Sequence, residues 1–185
     1  PINARNFKKP RRDMALTGAA GPLSNLALAL IHLVILRLVM LLVPTFFAQE
    51  SYAFAIAYNA GEDFTGSLGF TVVSLILYLL YLGIALNLML AIFNLIPIPP
   101  FDGSRIFYAF LPPKWYFGVM KYERYIMIGF IVLFLALTYT GFNPLMTVEN
   151  LVIQGLLYVT GLEVNTVSGI VLNNMLGYVQ ILLSF

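Results

Sequence analysis

Cysteine is absent from the 185-residue sequence, and histidine occurs once. The lack of cysteine excludes disulfide bonds and thiolate metal ligands, so a metal site would have to use histidine or carboxylate groups. Charged side chains are also scarce, at 10% of the chain, against about 25% in ordinary soluble domains. The chain therefore has few of the groups that keep the surface of a soluble domain hydrated.

Hydrophobic residues dominate what remains. They make up 61% of the chain, and the mean hydropathy is +0.90. A soluble fold of this length would need a polar shell that this composition does not supply, whereas a bilayer removes that need. The sequence predicts an all-α integral membrane protein, a polytopic transmembrane helical bundle with three to four spans. The lipid bilayer is then one expected partner, and nucleic acid is not.

Three apolar runs are long enough to cross a bilayer, at residues 22–43, about 67–96 and about 125–140. Residues 18–22 before the first run predict a close-packed or irregular start, with Pro22 in the first helical turn. A fourth span over 165–185 stays open, because Asn173 and Asn174 lie in its middle.

The connecting segments are less regular. Residues 44–66 predict a loop with a short interfacial helix at 46–58, and residues 111–124 predict a polar connection. Residues 142–162 predict an interfacial or re-entrant helix. We therefore expect a membrane core over residues 1–140, followed by C-terminal interfacial and membrane helices over 141–185.

The basic residues predict the orientation in the membrane. Nine of the ten lie before the first run or between the second and third: Arg5, Lys8, Lys9, Arg11, Arg12, Arg105, Lys114, Lys121 and Arg124. Because short cytoplasmic segments are enriched in Lys and Arg, the N-terminal segment and the Pro99–Gly103 loop (PPFDG) are predicted to be cytoplasmic. Three spans satisfy this pattern, and a fourth would place the C-terminus inside.

Asp102 is the most informative single residue. It follows Pro97-Ile-Pro-Pro-Phe101 near the inner end of the second run, where the prolines exclude regular helix. An ionisable group at membrane depth is costly and indicates a functional site. Non-helical backbone there requires a cavity or a protein partner. The alternative is that Asp102 is the N-cap of a short helix over about 104–110.

Other polar residues favour packing roles when they are considered alone. Asn87 and Asn94 share a helix face that leads towards Asp102, and interhelical hydrogen bonding is the alternative to a site role. Gly18, Gly21, Pro22, Ser24 and Asn25 form a cluster of small and polar residues typical of helix contacts. His32 has no second histidine at helical spacing, so a structural role is favoured over metal binding.

Two of these segments combine into a resemblance. The run from Asn94 to Gly103, NLIPIPPFDG, resembles the NxxPxPxLDG signature of the site-2 proteases, the M50 class of intramembrane zinc metalloproteases. The run from Ala20 to Asn25 resembles their AGPxxN stretch. The opening PINARNFKKPRRDMAL looks like the segment that follows the metal-binding helices in compact bacterial members. The resemblance covers roughly residues 1–140, with Phe101 in place of the usual Leu.

The resemblance implies an enzyme that cleaves a membrane-spanning segment of a protein substrate in a bacterial inner membrane. Asp102 would be the third zinc ligand, and Asn94 would orient the substrate or support the site. The stretch with Pro97, Pro99 and Pro100 would hold extended substrate by strand addition. The structural motif residues of the resemblance are Gly21, Pro22, Asn25 and Gly103.

The remaining part of the family's metal site is missing from this sequence. An HExxH motif on an earlier helix supplies two zinc ligands and the catalytic Glu in that family, and this chain has one histidine and no such motif. We expect the chain to be the C-terminal remainder of a longer protease. The alternatives are a non-catalytic protease-like subunit or scaffold, associated with other membrane subunits, and a transporter or channel with Asp102 as a relay. The role of residues 141–185 is left open.

Overall fold

The backbone is helical in a computed structural model that describes residues 8–162 and 166–184. The described residues form seven helices and no strand: α1 Pro10–Val39, α2 Val43–Ala60, α3 Leu68–Leu95, α4 Asp102–Phe110, α5 Pro113–Tyr139, α6 Pro144–Val159 and α7 Val167–Leu182. The all-α fold class is confirmed.

Three of the described helices are long and apolar enough to cross a membrane. The segments are Arg12–Val39 on α1, Leu68–Leu95 on α3 and Lys121–Tyr139 on α5, which confirms the three runs predicted from the sequence. The open fourth run forms α7, which has 16 residues. A span needs about 17 to 25 residues, so α7 is short for a crossing.

The start of the first span differs from the prediction. Helix α1 begins at Pro10, and Pro22 lies inside it, so the irregular start expected at residues 18–22 is wrong. The close packing expected there is confirmed, because Gly18 and Pro22 are both buried. A proline removes one backbone hydrogen bond, but neighbouring helices in a membrane protein compensate for such a loss.

Helix also replaces much of the predicted loops. The interfacial helix expected at 46–58 is confirmed as a helix and extends over Val43–Ala60. It ends at Gly61, whose φ of 69° is left-handed and favours glycine. The polar connection expected at 111–124 is wrong for most of its length, because α5 begins at Pro113, where a first-turn proline loses no hydrogen bond. The helix expected within 142–162 is confirmed as α6.

The chain divides into two compact units. The first combines Pro1–Ala27 with Asn87–Glu149, and the second combines Leu28–Leu86 with Asn150–Phe185. Both units draw on early and late parts of the chain, and the boundary predicted after residue 140 stays a prediction.

The core of the second unit is built around α7. Val171, Met175 and Val179 on this helix are fully buried. Tyr178 packs on the ring of Phe70, with 5.1 Å between the ring centroids, and its hydroxyl lies 3.1 Å from the Thr71 hydroxyl. The aromatic ring is thereby buried while its polar end keeps a hydrogen bond.

His32 has a packing role in the second unit. Its Nδ1 donates a hydrogen bond to the Leu28 carbonyl at 2.7 Å within α1. Its Nε2 lies 2.7 Å from the position that a Cβ on Gly83 would occupy. The imidazole ring therefore fits against α3 because residue 83 has no side chain.

We expect Gly83→Ala to destabilise the protein by about 1–3 kcal/mol, because the added methyl group overlaps the His32 ring. Thermal unfolding in detergent measures the effect. Gly155→Ala is the matched control, since a Cβ there meets nothing within 4 Å. In the double variant, His32→Ala should restore part of the loss. Additive effects of the two substitutions would contradict this account of the contact.

Candidate functional site

The segment after α3 forms a compact turn that places Asp102 at the start of a new helix. Helix α3 ends at Leu95, and the Phe101 N–H donates to the Ile98 carbonyl at 3.1 Å. The Pro99–Pro100 peptide bond is cis. Pro99 is buried, whereas Pro97 and Pro100 are exposed. The predicted break in regular helix over this segment is confirmed.

Asp102 is not a capping residue. Helix α4 begins at Asp102, and the N-cap position is occupied by Phe101, with no side-chain capping bond. The hydroxyl of Ser104 donates to the Phe101 carbonyl at 2.7 Å. The carboxylate of Asp102 therefore lies in the first turn, where the helix dipole favours a negative charge, without being used to close the turn. The N-cap interpretation of this residue is wrong.

The Asp102 carboxylate is half-exposed beside one cation. Arg105 Nη1 lies 3.9 Å from Oδ1, one helical turn along α4, and both side chains are more than a third exposed. At that distance and exposure the pair contributes at most about 1 kcal/mol to stability. The carboxylate oxygens thus remain accessible to a further ligand.

Two glycines of α1 lie against this carboxylate and its helix. A Cβ on Gly21 would lie 3.1 Å from Asp102 Oδ2. A Cβ on Gly18 would lie 2.9 Å from the Asp102 carbonyl oxygen and 3.1 Å from the Arg105 Cβ. The small residues predicted to pack closely do so against the Asp102 turn, which explains why a side chain is absent at both positions.

Gly103 fixes the other side of the turn. Residue 103 is buried, and a Cβ there would overlap the Leu95 carbonyl and lie 2.6 Å from the Ile96 carbonyl oxygen. Those backbone atoms belong to the end of α3 and cannot rotate away as a flexible side chain would. Any residue larger than glycine would therefore separate the start of α4 from the end of α3.

Phe101 connects the turn to the third candidate span. Its ring packs edge-on against Phe93 of α3, with a centroid distance of 4.4 Å, and against Phe130 of α5, with a distance of 5.4 Å. An aromatic ring at this position therefore makes two ring contacts that a leucine side chain would lack.

The remaining predicted site residues are Asn25, Asn94 and the three prolines, and their roles stay predictions. Asn25 on α1 and Asn94 on α3 are half-buried, and their amides make no hydrogen bond to the described part of the chain. The carbonyls of the three prolines accept no backbone hydrogen bond from described residues, so their substrate-binding role stays a prediction.

Sequence reasoning gave no site role to two residues that the structure places at Asp102. The predicted role of Gly18 is packing alone, although its spacing of three from Gly21 puts both on one helix face. The predicted role of Arg105 is limited to membrane orientation. Its spacing of three from Asp102, on a helix predicted to start nearby, was the available signal for a pair.

The residues of this chain do not fit a complete zinc site of the kind the resemblance implies. Such sites use three protein ligands and an open position. Within residues 8–162 and 166–184 no group of three or more His, Cys, Asp or Glu side chains is close enough to hold a metal ion. His32 belongs to the second unit, Asp102 belongs to the first, and the His32 Nδ1 is used in a backbone hydrogen bond. Asp102 can supply a single oxygen ligand.

Comparison with known proteins agrees with the motif and its geometry. The model of the Peptidase family M50 matches residues 4–139. The chain belongs to this family. A Bacillus subtilis (strain 168) protein named "Putative zinc metalloprotease YwhC" is 37% identical over 134 residues, which cover 72% of this chain and 51% of that protein. The chain thus spans about half the length of the curated relative it matches. No solved structure matches.

The Asp102 turn lies within the region that matches the M50 family model. The matched region contains both candidate segments, the α1 glycines and the proline turn with Asp102 and Gly103. The match also covers residues 28–86 of the second unit. Residues 140–185, with α6 and α7, lie outside the match.

We expect Gly18→Ala to destabilise the first unit by about 1–3 kcal/mol, because the methyl group would meet the Asp102 backbone, which cannot move aside locally. Gly129→Ala on α5 is the control, since a Cβ there meets nothing within 4 Å. Thermal unfolding of both variants in the same detergent measures the difference. Equal midpoints would show that α1 does not approach α4 this closely.

We expect Phe101→Leu to cost about 1–3 kcal/mol of stability, because it removes two edge-on aromatic contacts of about 0.5–1.5 kcal/mol each. Phe110→Leu, at a ring that is 82% exposed, serves as the control. The comparison uses the same unfolding measurement. A Phe101→Leu variant as stable as the control would mean that the ring contacts do not hold the turn.

Proposed function

We propose that this M50 chain takes part in zinc-dependent hydrolysis of a peptide bond within or near the membrane. The substrate is a membrane-spanning segment of another protein. The observation that carries the proposal is the placement of Asp102: its carboxylate lies in the first turn of α4, unused in capping, against Gly21 of the candidate span α1.

In this proposal Asp102 supplies one zinc ligand, and the other ligands come from residues outside this sequence. Carboxylate oxygens are zinc ligands in such sites, and the relative that matches the chain carries zinc metalloprotease in its name. Asn94 supports the site with an amide that has no hydrogen-bond partner in the described residues. No step of the reaction is assigned to this chain beyond providing and positioning these groups.

The membrane setting of the proposal comes from the charge distribution and the candidate spans. Lys and Arg cluster up to the first turn of α1 and from α4 into the first half of α5, so the Asp102 turn lies near the cytoplasmic side of a bacterial inner membrane. Substrate reaches it from within the bilayer and unwinds before cleavage. The exposed Pro97 and Pro100, with carbonyls that accept no described backbone hydrogen bond, offer acceptors to an extended chain.

We expect the native polypeptide, purified from membranes, to exceed 20.6 kDa in intact mass and to carry about one zinc ion per chain. Asp102→Asn should lower the zinc content, because an amide is a weaker zinc ligand than a carboxylate. Elemental analysis and intact-mass spectrometry of one preparation measure both quantities. Asp63→Asn, at an exposed loop position, is the control and should keep its zinc.

Two results would contradict the proposal or part of it. A native mass equal to that of this sequence, with no zinc in the wild type, would remove catalysis and indicate a non-catalytic protease-like subunit. Zinc that persists unchanged in Asp102→Asn would leave a metalloprotease but remove Asp102 from its ligand set.

A further inference from the structure

Helix α7 carries a polar stripe on an otherwise buried apolar helix. Five of its side chains are core residues of the second unit: Val171, Leu172, Met175, Tyr178 and Val179. The residues on the remaining face are Asn173, Gly177, Gln180 and, just past the helix end, Ser184. Their spacings of four, three and four residues place them in one line along the helix.

This stripe lines a cleft between α7 and the C-terminal part of α2. The cleft has a volume of about 520 Å³, which lies within the range of small-ligand sites. Its polar wall consists of Tyr58 and Asn59 from α2 with Asn173, Asn174, Gln180 and Ser184 from α7 and its end. All of these residues belong to the second unit, and all lie outside the Asp102 turn.

The cleft is held open by a fixed base. The Asn174 amide donates to both the carbonyl and the hydroxyl of Ser51, at 3.2 Å each, and Ser51 is fully buried. Phe54 packs edge-on against Tyr178, with 5.5 Å between the ring centroids. Gly177 adds no side chain to the floor. These contacts join α2 and α7 beside the cleft.

The chemistry of the wall limits the class of ligand. None of the described lining residues is charged, so neither a phosphate group nor a metal cation would find a counter-charge among them. The amides of Asn59, Asn173 and Gln180 are exposed and make no hydrogen bond to the described residues. Leaving three amides against hydrocarbon would cost free energy, which disfavours a lipid chain in this cleft. An uncharged ligand with both donors and acceptors fits this wall.

An extended peptide meets these requirements. Side-chain amides offer a donor and an acceptor together, which matches the N–H and C=O groups of a peptide backbone. The eleven helical steps from Asn173 to Ser184 rise about 16 Å, which corresponds to about five residues of extended chain. Phe54 and Ile181, which also line the cleft, give an apolar surface for one ligand side chain.

We propose that the cleft between α2 and α7 binds an extended, uncharged peptide segment, separate from the Asp102 turn. The choice of a peptide over another neutral ligand, such as a glycan, rests on the proposed proteolytic function. In that setting the cleft holds a part of the protein substrate and contributes to its selection.

The test is a binding measurement on the native polypeptide in detergent. The probe is acetyl-Val-Thr-Val-Ser-Val-amide with an uncharged fluorescent dye, followed by anisotropy, and maltotriose is the carbohydrate competitor. We expect saturable binding of the peptide and no competition by the sugar. Asn173→Leu and Gln180→Leu should each weaken binding roughly tenfold, because each removes amide hydrogen bonds and leaves peptide groups unpaired.

Two controls separate this proposal from others. Gln154→Leu, at an exposed amide of α6 outside the cleft, should bind the peptide like the wild type. Gly129→Ala, in the first unit, should also bind normally, and because the measurement has no zinc or cleavage readout, a failure of the zinc proposal does not affect it. Absence of saturable binding, an equal loss in Gln154→Leu, or displacement of the peptide by maltotriose would overturn the assignment.

Discussion

The first unit depends on one steric constraint: the backbone of α1 must come within contact of the Asp102 turn. Gly18 and Gly21 provide that approach, because a Cβ at either position would lie about 3 Å from an oxygen atom of Asp102. Gly103 imposes the same requirement between the start of α4 and the end of α3. Three missing side chains thus determine where the carboxylate lies. Its location is a consequence of packing, with little help from the half-exposed pair with Arg105.

A second constraint acts on the backbone of the turn itself. Prolines remove donors from a segment that adjoins a membrane-spanning helix, where unpaired polar groups are costly. The turn offsets part of this cost locally, through the bonds from Phe101 to Ile98 and from Ser104 to Phe101. The aromatic contacts of Phe101 then connect the turn to α3 and α5. A polar, irregular segment is thereby held by apolar packing on one side and by glycine contacts on the other.

In the apolar core of the second unit, three polar side chains have specific partners, whereas the hydroxyl of buried Ser74 has no hydrogen-bond partner among the described residues. His32 bonds to its own helix and fits against Gly83, and Tyr178 hydrogen-bonds to Thr71. Asn174 bonds to buried Ser51. The amides of Asn173 and Gln180, which have no such partner among the described residues, lie on one face of α7. The M50 match does not extend to α7, so the α7 wall of the cleft belongs to a segment for which family membership predicts nothing.

The sequence by itself determined the class of protein and the identity of its motif. The composition predicts a membrane protein, and the lengths of the apolar runs predict three spans. The prolines at 97–100 predict the break in helix before Asp102. Each of these predictions follows from local physical chemistry. Helix boundaries were less predictable. By sequence alone, Pro22 and the polar stretch before Tyr125 indicate the starts of helices. Both lie inside longer helices, Pro22 in α1 and the polar stretch in α5. Tertiary contacts compensate for the proline in α1, and a proline in the first turn costs α5 no hydrogen bond. Only the tertiary structure decided that Gly21 faces the Asp102 carboxylate, that Gly83 accommodates His32, and that Asn173 and Asn59 line one cleft. These pairs lie far apart in sequence, and nothing in the local pattern of either residue specifies its neighbour.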